Sequence, residues 1–252
     1  MRQGVLDLRA FYASPLGQAA RQMVSRKIVE AWGDTSGLDV LALGYASPFV
    51  EGLGGGRIVA AMPAAQGVEA WPSPDRNRAC LVDEAHLPLG NAFLDRILCV
   101  HALEESADPR ALMAEICRVL APSGRVILAV TARHGLWADA ESSPFGHGRP
   151  YSRRQLERLV REAELEPVNW TRALYAPPLA SSARWAEGFE QVGALLWPPF
   201  AGLILMEAVK ATFAVRPRGV RARVPVAVGG VLEPAPAGRA RQETWRRGEN
   251  GS

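Results

Sequence analysis

Acidic and histidine side chains stand directly after two predicted buried strands. Asp83 and Glu84 follow the third predicted strand, and His101 follows the fourth. Ligands of open α/β sheets bind at the carboxyl ends of the strands, so these residues are candidates for one site. His101 has a suitable ordinary pKa for a general base, although it is interpreted equally well as a packed residue at a helix start. Glu104 and Glu105 are predicted to form a solvated first turn of that helix.

A long segment without periodicity, residues 133–151, mixes aromatic, cationic and histidine side chains in the order RHGLWADAESSPFGHGRPY. Loops of this length in a compact domain are typically binding loops or lids, and this composition does not suit disorder. The alternative is surface packing. Two arginines there could bind an anionic substrate group, or could be ordinary surface cations. The candidate substrate residues are Arg133, Trp137, Phe145, Arg149 and Tyr151, and His147 is a second candidate base beside His101.

The stretch 38–56, LDVLALGYASPFVEGLGGG, is predicted to organise the fold. Its nearly continuous apolar run predicts a central strand over 38–43, which breaks at Gly44 into a loop and a helix start. A strand, a glycine turn and a helix are typical of nucleotide-binding α/β units, because the turn brings backbone N–H groups close to a ligand. As a bare motif it also fits an ordinary turn.

Strands and helices alternate along the chain, which predicts a parallel α/β sheet. Phe11 and Tyr12 precede the first predicted helix, capped by Ser14, and either cover a cleft or form a hydrophobic staple. Tyr12 is therefore a further candidate substrate residue. Strands are predicted over 38–43, 57–62, 79–82, 94–100, 125–131, 168–175 and 202–213, and helices over 15–32, from 109 to about 121, and over 152–164 and 181–196.

Composition indicates a globular protein, with 48% hydrophobic and 22% charged residues among 252. The net charge of +3 is concentrated in a basic tail, so a nucleic-acid-binding face is not expected. Cys80, Cys99 and Cys117 show no metal-binding spacing and are predicted to be buried thiols, and no metal site is expected. The start of the chain lacks an apolar signal core, and the longest apolar run is too short to span a bilayer, so a cytoplasmic location is predicted.

Residues 38–128 resemble the class I S-adenosylmethionine (SAM)-dependent methyltransferases, specifically the type 11 group. The resemblance rests on VLALG, RIVAAM, VDEAHLPLGNAFLDRILCVHALEESADP and ICRVLAPSGRVILAV in this order. It implies a Rossmann-like seven-stranded sheet, mostly parallel with an antiparallel last strand, with helices on both faces. It also implies SAM as cofactor. The predicted organisation is a methyltransferase-like domain over 1–215, with a lid over 131–151 and a helical insertion over 177–200, and a disordered tail over 216–252.

The resemblance implies cofactor-binding roles for individual residues. Gly44 matches the first glycine of the SAM loop, Asp83 the acidic residue that holds the adenine amino group, and His101 a residue that lines the methionine end. The position of the ribose-binding acid holds Met62. The full predicted cofactor set is Gly44, Tyr45, Ala46, Met62, Asp83, Glu84 and His101.

The chain departs from the family pattern at Ala42, Ala46, Pro48 and Met62. Loss of a carboxylate that binds two ribose hydroxyls costs about 1.5–3 kcal/mol of binding free energy. Two hypotheses follow. The first is a SAM-dependent methyltransferase of a small-molecule acceptor. The second is a catalytically inactive methyltransferase-fold protein that serves as an interaction module for a protein partner.

Overall fold

The computed structural model describes residues 3–54, 56–140, 143–179, 188, 190, 193 and 200–211. Seven strands form one sheet in the order β3-β2-β1-β4-β5-β7-β6. Strand β7 is antiparallel to β5 and β6, and the remaining pairs are parallel, which confirms the predicted fold class. The strands are β1 Asp39–Gly44, β2 Arg57–Pro63, β3 Ala79–Val82, β4 Leu94–Val100, β5 Leu120–Thr131, β6 Leu165–Ala173 and β7 Leu203–Lys210.

Five helices are described around the sheet, and their starts follow the capping chemistry of the sequence. The Ser14 hydroxyl accepts a hydrogen bond from the Gly17 N–H, and the Asp108 carboxylate accepts two from backbone N–H groups. Ser152 forms a capping box with Gln155. Such caps satisfy N–H groups that have no partner within the helix. The helices are α1 Val5–Ala13, α2 Pro15–Trp32, α3 Ser47–Val50, α4 Pro109–Val119 and α5 Arg153–Glu162.

The core lies on both faces of the central strands. Residues 40–44 of β1 are all buried, as expected for a parallel strand covered on both sides. Two apolar clusters result, and α1 and α2 pack on the face opposite to α4 and α5. No helix within the described residues has the length and apolar character needed to cross a membrane.

Several predicted elements differ from the structure. Helix α1 was not predicted, and Cys80 is exposed rather than buried. Cys80 lies on β3, the edge strand, where only one side of the strand is covered. The predicted helix over 181–196 lies outside the described residues except for 188, 190 and 193, and the tail over 216–252 lies wholly outside them.

Candidate active site

The turn after β1 is built on Gly44, which has φ +77°. A Cβ at this position would collide with the carbonyl oxygen of Val100, at the end of the adjacent strand β4. The next N–H, that of Tyr45, donates a 2.9 Å hydrogen bond to the same carbonyl. Glycine is therefore required here by close approach and by positive φ. The Tyr45 N–H is occupied within the protein.

A buried hydrogen bond joins α1 to the end of β4. The Tyr12 hydroxyl lies 2.6 Å from Nε2 of His101, and both side chains are buried. Burial lowers the pKa of His101 to about 3, so the imidazole is neutral at neutral pH and forms a neutral hydrogen bond with the tyrosine hydroxyl. Burial, with the charge of Glu104, raises the pKa of Tyr12 well above its usual value. A histidine with such a low pKa is a weak general base near pH 7.

Gln66, in the loop after β2, holds His101 from the other side. Its amide nitrogen donates to the His101 carbonyl at 3.2 Å, and its own backbone carbonyl accepts from the Val5 N–H at 2.7 Å. Its side-chain oxygen is buried without a hydrogen-bond partner among the described residues. A lone glutamine in a predicted loop has no distinctive spacing, so sequence reasoning missed this contact.

Aromatic side chains from α1, the 133–151 segment and the turn after β1 meet around His101. Tyr12 stacks on Tyr45 with ring centroids 5.7 Å apart, and Phe145 lies 4.8 Å from the His101 ring. Phe145 also contacts Trp137 edge-to-face at 5.3 Å. Such edge-to-face and offset pairs are the preferred geometries of aromatic rings. We call this group the aromatic cluster; its members are Phe11, Tyr12, Tyr45, Phe49, His101, Trp137 and Phe145.

The 133–151 segment contributes residues to two different places. Trp137 and Phe145 are buried in the aromatic cluster, and the Trp137 indole N–H donates to the Ala176 carbonyl at 2.8 Å. The Arg133 and Arg149 side chains are exposed. The structure therefore brings Tyr12, Trp137 and Phe145 together with His101 and leaves the two arginines on the surface.

Tyr151 faces the other side of the sheet edge. It lines a separate cavity of about 370 Å³ beside α4 and α5. Burial, followed by the nearby charge of Glu104, raises the pKa of Tyr151 to about 12. Its hydroxyl is 3.4 Å from the Leu103 carbonyl. Tyr151 is thus not in the aromatic cluster, and a substrate role for it stays a prediction.

Glu104 is buried, so the prediction of a solvated first turn was wrong for this residue. Its carboxylate accepts from the Thr131 N–H at 3.2 Å, and its carbonyl accepts from the Arg149 N–H at 2.8 Å. The helix begins only at Pro109, because the preceding residues turn inward to hold β5 and the 133–151 segment. A buried carboxylate requires such hydrogen bonds.

The side chain at the end of β3 is exposed, unlike the buried side chains around His101. The Asp83 side chain is 65% exposed and accepts hydrogen bonds from the Ala85 N–H at 2.9 Å and from the His86 ring at 3.0 Å. These bonds, the backbone one first, lower the pKa of Asp83. Glu84 accepts a 2.7 Å hydrogen bond from the Ser106 hydroxyl.

The cofactor that the resemblance implies fits one part of this edge. Asp83 presents an ionised, exposed carboxylate that suits an adenine amino group. Beside Gly44 and His101, however, the rings of Tyr12 and Tyr45 are packed in the interior. Met62 is also fully buried and offers no acceptor for ribose hydroxyls. In this arrangement the residues fit the adenine end and do not fit the whole cofactor.

Comparison with known proteins supports the family that the residues suggest. Residues 49–169 match a sequence-family model described as a methyltransferase domain. The match starts within α3 and extends through β2 to β5, the 133–151 segment and α5 into β6. A search of curated proteins finds no match.

Solved structures share the fold at low sequence identity. A chain from the complex between the Haloferax volcanii Trm112 methyltransferase activator and a methyltransferase superposes with a TM-score of 0.56 and 17% identity, over 84% of this chain and 100% of that chain. The [4+2]-cyclase SpnF superposes with a TM-score of 0.53 and 19% identity, over 78% of this chain and 82% of that chain. A SAM-dependent methyltransferase from Archaeoglobus fulgidus superposes with a TM-score of 0.52 and 14% identity, over 75% of this chain and 94% of that chain.

The sheet order and the sequence-family match agree with one another. Residues 49–169 are thus similar to methyltransferase domains, and the sheet has the fold that the SAM-dependent methyltransferase from Archaeoglobus fulgidus shares.

Proposed function

We propose that the protein methylates a small-molecule acceptor, and that α1 and the 133–151 segment together form a lid over the carboxyl edge of β1 and β4. The observation that carries this proposal is the aromatic cluster. It joins both lid parts to the turn after β1, through Tyr12 on Tyr45 and Phe145 on His101.

A lid of this kind has a physical purpose in group transfer. Closing a site excludes water and holds the reacting groups in a productive geometry. Trp137 and Phe145 supply apolar surface for an acceptor, while Arg133 and Arg149 lie at the outer face and suit an anionic group on it. These substrate roles remain part of the proposal.

The lid must open before the whole cofactor can enter. Tyr12 has to leave His101, and the Tyr12–Tyr45 stack has to separate. Ligand affinity is then reduced by the fraction of molecules that are closed. Because His101 is buried and neutral, its proposed contribution is to hold Tyr12 rather than to accept a proton. His147 stays a candidate base.

Calorimetric titration of SAM and S-adenosylhomocysteine tests the cofactor site. The comparison is between the wild type, Asp83→Ala and the matched control Asp75→Ala, an exposed carboxylate in the β2–β3 connection. Loss of a charged hydrogen-bond acceptor should weaken binding by about tenfold or more in Asp83→Ala. Asp75→Ala should bind like the wild type. Equal affinities in all three proteins would contradict the proposed adenine contact.

The second candidate function, an inactive methyltransferase-fold protein that binds a protein partner, is favoured by one observation. The interior beside Gly44 is filled by tyrosine rings, and Met62 stands where a ribose acceptor is expected. Absence of any heat or thermal stabilisation with millimolar SAM would support this candidate over the enzyme. Transfer of an isotope-labelled methyl group to any small acceptor would exclude it.

A further inference from the structure

A cavity of about 260 Å³ lies beside Leu136 of the 133–151 segment, and its accessible surface is mainly apolar. We call it the apolar groove. Among the described residues, its lining consists of Leu136, Tyr175, Gly193 and Phe200. None of these residues belongs to the aromatic cluster or to the predicted cofactor set. The charged residues beside Tyr175, which are Arg172 and Glu190, line a different cavity.

Two large apolar side chains of the groove are exposed to solvent. Leu136 is 45% exposed and Phe200 is 51% exposed. They are also neighbours, because the Leu136 N–H donates a 3.4 Å hydrogen bond to the Phe200 carbonyl. Single exposed apolar side chains are ordinary on a protein surface, whereas adjoining ones are typical of an interaction or ligand site. Their apolar surface is therefore available to a ligand.

Backbone hydrogen bonds join the three segments that carry Leu136, Tyr175 and Phe200. The Ala132 N–H donates to the Gly202 carbonyl, and the Gly202 N–H donates to the Leu174 carbonyl, both at 2.9 Å. On the fourth side, Gly193 lies so close to Tyr175 that a Cβ at this position would collide with the tyrosine side chain. The walls are thus held in place before a ligand binds, which reduces the entropy cost of binding.

Trp137 lies between the groove and the aromatic cluster. It follows Leu136 in the chain, and its indole N–H donates to the carbonyl of Ala176, which follows Tyr175. Its ring contacts Phe145 within the cluster. Two residues of the groove are therefore chain neighbours of the residues that hold Trp137 in place. A ligand in the groove would lie against the outer side of the proposed lid.

The volume and the charge of the groove limit its occupant. One turn of an α-helix, about 10 Å wide and about 5.4 Å long, needs more room than the groove offers. Sites for drug-sized molecules span about 300–1,000 Å³, so a somewhat smaller group fits here. Among the described residues, no charged side chain lines the groove to offset the desolvation of an ion. The occupant is therefore small and uncharged.

We propose that the apolar groove binds an uncharged alkyl chain or ring of a small molecule, held by Leu136, Tyr175 and Phe200. In an extension that rests on the proposed function, this group is the apolar part of the methyl acceptor. Because burial of apolar surface supplies the binding free energy, each buried methylene should raise the affinity by about fourfold.

The test is a titration of the full-length protein, without cofactor, with 1-butanol, 1-hexanol and 1-octanol, followed by NMR of the leucine methyl groups. The resonances of Leu136 are identified by their loss in Leu136→Ala. They should shift in a saturable manner, with an affinity that rises by roughly 15-fold from 1-butanol to 1-hexanol. Leu6, an exposed leucine of α1 that is identified in the same way, is the control and should show no saturable shift. Absence of saturation at Leu136, an affinity independent of chain length, or the same shifts at Leu6 would overturn the proposal.

Variants at exposed positions test the contacts without removing core packing. Phe200→Ala should weaken 1-octanol binding by about tenfold, because one apolar wall is lost. Phe93→Ala, which removes a ring that is 54% exposed and lies just before β4, is the matched control and should bind like the wild type. Leu136→Asp places a carboxylate in the groove and should weaken binding further. Unchanged affinity in Phe200→Ala, or an equal loss in Phe93→Ala, would contradict the assigned site.

The titration contains no SAM, so its result is independent of the proposed methyl transfer. Failure of the alcohols to bind would overturn the apolar groove and leave the proposed function intact. Saturable alcohol binding by a protein that binds no SAM would support the groove as a ligand site and overturn only its assignment to a methyl acceptor.

Discussion

The two halves of the carboxyl edge differ in a way that the shared sheet does not require. At the end of β3, Asp83 is exposed and ionised, and its hydrogen-bond partners are polar groups. At the ends of β1 and β4, His101 is dry and neutral, and aromatic rings surround it. The same sheet edge therefore has one half that is open to solvent and one half that tertiary packing fills. The comparison predicts that substitutions in the closed half change stability, whereas substitutions in the open half leave it nearly unchanged.

The largest loss of stability is expected from Phe145→Ala, in the closed half. Phe145 is fully buried and contacts His101, Trp137 and Phe11. Truncation should lower the free energy of unfolding by about 3–5 kcal/mol, measured by urea denaturation. Leu136→Ala, on an exposed side chain of the same segment, is the control and should change it by less than about 0.5 kcal/mol. A loss below about 1 kcal/mol in Phe145→Ala would show that the closed half is not a packed core.

The next effect is a pH dependence of stability from His101. In the unfolded chain this histidine takes up a proton near pH 6.5, whereas in the folded protein it stays neutral down to about pH 3. The unfolded state then binds more protons, so the free energy of unfolding falls as the pH falls, by about 2–3 kcal/mol between pH 6.5 and 4.5.

Urea denaturation at several pH values, repeated on His101→Gln, isolates this contribution. In this variant the difference in bound protons between the unfolded and the folded state should be smaller by about one proton. His134→Gln, which replaces an exposed histidine, is the control for the substitution itself. Identical slopes for His101→Gln and the wild type would mean that His101 is not buried in neutral form.

A smaller effect is expected for Tyr12→Phe. The change removes one hydroxyl and leaves Nε2 of His101 buried without its hydrogen-bond partner. The free energy of unfolding should fall by about 1–2 kcal/mol, again by urea denaturation. The control Tyr175→Phe, at a half-buried position outside the aromatic cluster, should lower the free energy of unfolding by less than about 0.5 kcal/mol. Equal effects of the two changes would argue against a Tyr12–His101 hydrogen bond in solution.

The smallest effect on folding is expected at the open half. Asp83→Ala removes an exposed carboxylate whose partners are a backbone N–H and the side chain of His86. Its denaturant midpoint should match that of the wild type within error, even though its affinity for SAM should fall. A marked loss of stability would show that Asp83 stabilises the fold, which would contradict the expected difference between the two halves.

The bounds of several strands could be predicted from local signals. The bounds 79–82 and 94–100 agree with β3 and β4, because Asp83 follows one strand and the turn at Gly90 and Asn91 precedes the other. Helix α1 was missed, although Val5, Leu8 and Tyr12 are spaced three and four residues apart as on one helical face. Its short length before Ser14 and Pro15 obscured that pattern.

The closed half could not be predicted in the same way. Tyr12 and His101 are 89 residues apart, and nothing in the spacing of either pairs them. Glu104 follows a strand and precedes a helix, which predicts solvation, but tertiary hydrogen bonds to Thr131 and Arg149 bury it. Positions such as Gly44 carry a local backbone requirement, whereas the aromatic cluster depends on three segments that meet only in the fold.

Competition between the cofactor and the aromatic cluster is the central claim, and S-adenosylhomocysteine binding to the wild type and Tyr12→Phe tests it most directly. Weakening the Tyr12–His101 contact raises the fraction of open molecules, so calorimetry should give an affinity about 5–30-fold higher for Tyr12→Phe. Equal affinities, or no binding by either protein, would contradict the claim.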